Sequence, residues 1–471
     1  MDVELFSRYR AIVDDWDAFL EHLFKPQPKV LRVNRLKTWP EDVRRRLEGQ
    51  GFRLEPYPFD PHIFRVVEEP FSPGLTLEHW LGFFYIQEAA AAIPVLALEP
   101  ERGQHLLDLA AAPGGKTTQM AEILGDDGWV VANEPDGQRL QALRENLGRL
   151  GIARVAVVKG DGRRFPFGLP FDGVLVDVPC SAEGNIRKDP SVKEGPSPKG
   201  RRRLATLQRE LLKKGLSLVK EGGRVVYATC TFAPEENEGV VDQVVREARG
   251  AVAIEEWPEH LPGMPGITSW QGEDFLPELQ HTRRIYPHHL DSGGMYVARL
   301  QRLGPLPWHE PKQDLPLLEG DIQLAKEVAA EWARAFGIDP SLLEGYVAYP
   351  LGKEVGLSPL EAVPRFPGLI SVGLPAFKRG EKGLRLLPQG AVHFLQGAST
   401  RVFHLELSDF LSLFEGRDLP LELPEEGDVL LRYRGFVVAV GRVQRGRLHL
   451  LWEGKRTRDL LALFEKEKGT A

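Results

Sequence analysis

The sequence predicts an α/β protein built on a doubly wound, mostly parallel sheet, with a smaller α+β module ahead of it and a β-rich domain behind it. Three observations carry this. Between His105 and Cys230, short apolar runs alternate with helix-length segments, the pattern of strands buried on both faces and joined by crossover helices. Residues 1–95 mix helical stretches with short strand-like runs broken by Pro and Gly, and the last eighty residues alternate apolar and polar positions around Gly-containing turns.

Taken in order, the first module has strand-like runs at Lys29–Val33 and Ile63–Val67. The central sheet begins with HLLDLAA at 105–111, followed by a Gly turn and a helix. WVVANEP at 129–135, a helix ending at Gly151, and VAVVKGD at 155–161 come next. FDGVLVDVPC at 171–180 and, after a long loop and a helix, GGRVVYATC at 222–230 supply two further strands. Pro258–Gly294 has little pattern, and MYVARL at 295–300 closes the core near residue 302. Leu303–Asp314 reads as a linker and Gly320–Phe336 as an amphipathic helix, which divides the chain into 1–95, 96–302, a linker and helical extension at 303–385, and a β-rich domain at 386–471. A small barrel followed by a terminal helix is expected in that last segment.

A chain of 471 residues exceeds a single core and calls for about three domains. Its 42% hydrophobic and 27% charged content is that of a water-exposed globular protein, without an apolar run long enough to span a bilayer, and Met1–Arg10 lacks the apolar stretch of a signal peptide. A cytoplasmic location without membrane contact is therefore expected. Two cysteines, Cys180 and Cys230, are too few for a disulfide framework or a cysteine zinc site, so no metal is expected. The formal net charge of −7 argues against a polyanionic partner on average, yet Lys199–Lys214 is strongly basic, and local charge is what a nucleic acid meets.

The loop AAAPGGK at Ala110–Lys116 follows a strand and opens a helix, a geometry that places backbone N–H groups against an anionic group. With Thr117 it imitates a phosphate-binding P-loop. The first glycine of that motif is Ala110 here, however, and Pro113 removes a donor that would wrap a phosphate chain. A nucleotide hydrolase is disfavoured, and no G-x-G-x-x-G supports a dinucleotide either. Acids at successive strand ends suit S-adenosylmethionine better: Glu134 for the ribose hydroxyls, Asp161 for the adenine amine, and Asp177 near the methionine portion and the target. Cys180 and Cys230 end the next two strand segments on the same rim, where a thiolate is a suitable nucleophile toward an electron-poor carbon. Chemistry alone leaves open which of them attacks.

With AAAPGGKT, Glu134, GD at 160–161, DVPCSAEG at 177–184 and ATCTFAPEENE at 228–238, the chain resembles the Nop/Sun family of RNA 5-methylcytosine methyltransferases; YIQEAAA at 85–91 and LRVNRLK at 31–37 are similar to the family's upstream motifs. The resemblance covers roughly the first 300 residues. It implies a class I (Rossmann-like) S-adenosylmethionine-dependent methyltransferase core, with Ala110, Ala111, Ala112, Pro113, Gly114, Gly115, Lys116, Glu134, Arg139, Asp161 and Asp177 at the cofactor. It also implies that Cys230 adds to C6 of the cytosine, that Asp177 hydrogen-bonds the ring, and that Cys180 assists release. Ala110 departs from the Cys that often begins the family's loop.

The tail resembles the PUA-like RNA-binding domain of bacterial members that modify small-subunit ribosomal RNA, which implies 16S rRNA or the 30S subunit as partner. Arg432, Arg434, Arg442, Arg445 and Arg447 are then expected phosphate contacts, and Arg32, Arg35 and Lys37 offer a second set unless LRVNRLK is a strand packed on the core. A monomer is expected. The same chemistry on tRNA, a P-loop-like hydrolase and a non-catalytic ribosome-assembly factor are the competing readings.

Overall fold

The computed structural model describes residues 4–308, 312–380, 383–420 and 426–451. Its centre is the expected doubly wound sheet. Five parallel strands, β1 (His105–Asp108), β2 (Trp129–Asn133), β3 (Val155–Val158), β4 (Phe171–Asp177) and β5 (Val219–Thr229), alternate with the helices α1 (Gly115–Leu124), α2 (Gly137–Leu150) and α3 (Pro198–Leu218). Two antiparallel strands, β6 (Arg283–Ile285) and β7 (Met295–Arg302), complete the order β6-β7-β5-β4-β1-β2-β3.

The apolar runs form strands because both faces of the sheet are covered, and the two-residue period divides them between two cores. Leu107, Val131, Val174, Val176 and Val225 pack on the face that carries α3, whereas Leu106, Val130, Ala132, Leu175 and Val226 pack on the face that carries α1 and α2. The helices stop where their caps say. Asp136 accepts from the N–H groups of Gln138 and Arg139 at the start of α2, and Gly151, at φ 75°, ends it.

The first module is a four-stranded antiparallel sheet in the order Arg53–Tyr57, Asp60–Glu68, Val30–Val33, Phe84–Ile86. The helix before it, Trp16–Phe24, does not pack there: Phe19 and Leu23 join Phe6 and Tyr9 against Phe232 and Tyr286 of the central domain. The central sheet also reaches forward, since Leu369–Val372 pairs antiparallel with β3.

The stretch 303–385, read as linker and helical extension, carries the expected helix, Ile322–Phe336, capped by Asp321 and Gly337. It also carries a four-stranded sheet of Val347–Leu351, Glu354–Ser358, Leu374–Gly380 and Gly383–Leu386. Short β-hairpins in this region lack a long repeat, and the helical period of its first half masked them. Further on, Gly427–Tyr433, Phe436–Gln444 and Arg447–Leu450 form the expected strands within a five-stranded sheet edged by Val402–His404 and Leu419–Pro420. The expected terminal helix lies outside the described residues. Among the described residues no helix is long and apolar enough to cross a membrane.

Candidate active site at the carboxyl rim of the sheet

Parallel strands discharge their loops at one edge, so the ends of β1, β2, β3, β4 and β5 share a rim. At the end of β1 the chain enters the Ala110–Lys116 loop, where Ala111 N–H donates to Asn133 O (2.9 Å) and Gly114 N–H to Ala111 O (2.8 Å). Gly114, at φ 104°, caps α1 in the left-handed region, and a Cβ there would stand 2.8 Å from Leu143 Cδ1.

The acids expected around a nucleoside cofactor occupy this rim in different states. Glu134 is fully buried and accepts from Ala112 N–H (3.2 Å) and Asp136 N–H (3.0 Å), which leaves lone pairs for further donors. Arg139 lies across it, 3.7 Å from the carboxylate, and donates to Ala112 O at 2.5 Å. The Arg139 side chain is 54% exposed, so it covers the buried Glu134 from the solvent side. Asp161 is gripped by Arg163 Nη2 at 2.6 Å and held below its ordinary pKa, chiefly by that hydrogen bond. Asp177 accepts from Lys116 Nζ at 2.7 Å through Oδ2. Burial alone would lower the Lys116 pKa, but the ion pair with Asp177 outweighs it and the net shift is upward. The rim thus offers carboxylate acceptors beside the backbone N–H groups of the Ala110–Lys116 loop.

Strand register brings the cysteines together. Asp177 on β4 pairs with Ala228 on β5, and Val178 N–H donates to Ala228 O at 3.1 Å. Cys180 and Cys230 follow within three residues on adjacent strands, and their sulfurs stand 3.3 Å apart as free thiols. The Cys180 thiol is pushed well above its ordinary pKa, first by its hydrogen bond to Cys230, then by burial and by the charge on Cys230. Cys180 is thus held as the thiol.

The supporting residues were not singled out by sequence reasoning. Asn185 Nδ2 donates to Cys230 Sγ at 3.4 Å, and Gly184 N–H donates to Cys230 O at 2.8 Å. Buried Glu183 accepts from Tyr9 Oη (2.7 Å), Arg201 Nη2 (3.2 Å) and Thr231 Oγ1 (3.1 Å). Glu236 accepts from Ser181 N–H (3.0 Å) and Gln208 Nε2 (2.9 Å), and Gln208 also donates to Pro179 O (2.9 Å). Glu183 and Glu236 lie within the quoted motifs, but their partners Tyr9, Arg201 and Gln208 come from distant segments.

Two expected nucleic-acid contacts are corrected. Arg32 is buried, donating to Glu122 Oε1 (2.9 Å), Thr118 Oγ1 (2.8 Å), Gly115 O (2.6 Å) and Gln87 Oε1, so it ties the first module to α1. Lys37 donates to Leu81 O (2.7 Å) and Arg149 O (3.1 Å), and burial, helped by Arg149, pushes its pKa down to about 7. LRVNRLK is the packed strand and turn. In the C-terminal sheet, Arg432 donates to the Gln396 and Ala398 carbonyls and Arg442 to Asp428, leaving Arg434, Arg445 and Arg447 as the exposed arginines of that set.

Comparison with known proteins places this architecture. The family model described as 16S rRNA methyltransferase RsmB/F matches residues 95–301, and that of the N-terminal domain of 16S rRNA methyltransferase RsmF matches residues 4–89. The ribosomal RNA small subunit methyltransferase F of Vibrio atlanticus is 33% identical over 459 residues, covering 94% of this chain and 92% of its own. Its namesake from Serratia proteamaculans is 33% identical over 427 residues, covering 88% and 86%. A methyltransferase homologue from Pyrococcus horikoshii, solved by crystallography, superposes with a TM-score of 0.58 at 32% identity over 64% of this chain and 96% of its own. NSun6 from the same organism, solved with SFG, shares the fold at a TM-score of 0.54 and 23% identity, over 64% and 97%.

Proposed function

The chain belongs to the 16S rRNA methyltransferase RsmB/F family, and from that premise we propose that it methylates C5 of a cytosine in 16S rRNA through a covalent bond between Cys230 Sγ and C6. The observation that carries the chemistry is the pair of thiols 3.3 Å apart at the ends of adjacent strands, beside a rim of carboxylates. S-adenosylmethionine, when bound, supplies an electrophilic methyl group. The Ala110–Lys116 loop with Glu134, Arg139, Asp161 and Asp177 would hold it.

The residues divide the work. C5 of cytosine is a poor nucleophile until a thiolate adds at C6 and makes the C4–C5–C6 unit an enamine. Cys230 is the attacking group because Asn185 and the protonated Cys180 both present donors to its sulfur, which stabilise a thiolate there. Asp177, steadied by Lys116, hydrogen-bonds the ring as charge moves onto it. After methyl transfer a base, water or a nearby side chain, takes the C5 proton, and the Cys180 thiol donates a hydrogen bond to the departing Cys230 thiolate. The target base must be unstacked to enter the rim, which favours a loop or a flipped nucleotide.

The test compares wild type, Cys230→Ala and Cys180→Ala on 16S rRNA, on small subunits and on tRNA with labelled cofactor, scoring 5-methylcytosine and gel-stable protein–RNA adducts. Loss of both signals in Cys230→Ala, with adduct accumulating in Cys180→Ala, is expected. The reverse pattern would make Cys180 the nucleophile, and label on tRNA alone would refute the substrate.

A further inference from the structure

The helix α3 has two dissimilar faces. Its inner face holds the catalytic loop: Arg201 donates to Glu183, and Gln208 to Pro179 O and Glu236. Its outer face borders a groove of about 760 Å³ lined by Arg163, Lys199, Arg202, Arg203, Leu207 and Glu210, among others. Arg163 is neutralised there by Asp161 (2.6 Å) and Glu210 (3.0 Å). Lys199, Arg202 and Arg203 are exposed and have no ion-pair partner among the described residues.

Lys199, Arg202 and Arg203 stand side by side in a chain of formal net charge −7, whereas buried arginines such as Arg32, Arg201 and Arg284 are bound to carboxylates. They also oppose the helix that bears them. Lys199 and Arg202 are separated by three residues and Lys199 and Arg203 by four, the spacings at which like charges destabilise an α-helix. A local conflict of this kind is resolved when an anion occupies the groove. The ligand is not a stacked base, because no aromatic side chain lines the walls. Repeated single charges along an open groove suit successive phosphates.

We propose that this groove binds the sugar–phosphate backbone of the substrate RNA next to the methylated nucleotide, through Lys199, Arg202 and Arg203. The proposal rests on the reading that the substrate is RNA. Two links place the groove beside the chemistry: α3 carries the loop that contains Cys180, and Arg163 joins the groove wall to Asp161 at the end of β3. RNA held on the outer face therefore lies against the same helix whose inner face holds the Cys180 loop.

The test uses the full chain and the triple variant Lys199→Gln, Arg202→Gln, Arg203→Gln, since glutamine keeps the helix while removing charge. Binding to 16S rRNA is measured over a range of salt concentrations, with cofactor affinity and thermal melting as controls for folding. Each phosphate contact contributes about 0.7 to the slope of log K against log salt for a single strand, so the slope is expected to fall by roughly 2. Cofactor affinity should be unchanged. An unchanged slope with a folded variant overturns the proposal, as does a loss of binding seen only with assembled subunits and not with naked RNA. If wild type binds RNA with the steeper slope yet methylates none, the groove stands and the methylation reading falls; if it methylates RNA and the slope does not move, the groove alone falls.

Discussion

Asn185 and Cys230 come from different strand-end loops, yet the Asn185 side-chain amide points a donor at the Cys230 sulfur over 3.4 Å. The same turn fixes the backbone of Cys230 through the N–H of Gly184, so one short segment after β4 holds both the backbone and the sulfur of the residue after β5. A donor to an ionised sulfur is worth about 1.5 kcal/mol or somewhat more.

Replacing Asn185 by Ala is therefore expected to slow alkylation of Cys230 at pH 7 by about tenfold. Mass spectrometry of the Cys230 peptide after timed iodoacetamide treatment measures this without RNA or cofactor. An unchanged rate would remove Asn185 from the activation of the thiol.

Cys180 should behave in the opposite sense. Its largest upward influence is the hydrogen bond to Cys230, so Cys230→Ala is expected to raise the alkylation rate of Cys180 severalfold at pH 7 to 8, against a slow wild-type rate. The same peptide assay reads it. If Cys180 stays inert, burial rather than Cys230 governs it.

Arg32 and Glu122 form a buried ion pair with side chains 3% and 1% exposed. Arg32→Ala leaves Glu122 buried without its partner and is expected to cost roughly 3 to 5 kcal/mol of stability, measured by urea unfolding. Because Arg32 faces the protein interior, the salt dependence of RNA binding by the folded fraction should not change.

Asp108, at the start of the Ala110–Lys116 loop, is buried and accepts from Thr117 Oγ1 at 2.7 Å; burial raises its pKa to about 7, with Asp177 adding to the rise. Between the ordinary value of 3.8 and about 7 the folded chain holds a proton that the unfolded chain has lost. The contribution of this group to stability is thus fully present below the unfolded value and is lost as pH rises through about 7. Asp108→Asn keeps an acceptor for Thr117 and should lose less stability than wild type between pH 5 and pH 8, which melting curves at the two pH values compare. Parallel pH profiles for the two proteins would sink the assignment.

Much of the central fold was legible because its signal is local. HLLDL, WVVAN, VAVV and FDGVLVD are short apolar runs of β-branched and aliphatic residues between turn signals, and each is a strand. The strands at 347–386 were missed because each is brief, carries no run of that kind, and sits beside a long amphipathic helix that dominates the local pattern. Arg32 and Lys37 illustrate the same limit for function, since a charged residue on a strand reads as surface until the packing partner is known.

Sequence by itself determined that strands and helices alternate, that Cys180 and Cys230 follow the ends of two successive central strands, and that acids stand at the neighbouring ends. These follow from residue order and a period of two, which need no knowledge of the rest of the chain. Tertiary structure alone decided that the two sulfurs meet, that Tyr9 braces Glu183 across 174 residues, that Arg139 covers Glu134, and that Lys199, Arg202 and Arg203 stand exposed along one groove. Such contacts depend on strand register and on how distant segments pack, and neither is encoded in the local periodicity from which elements are read.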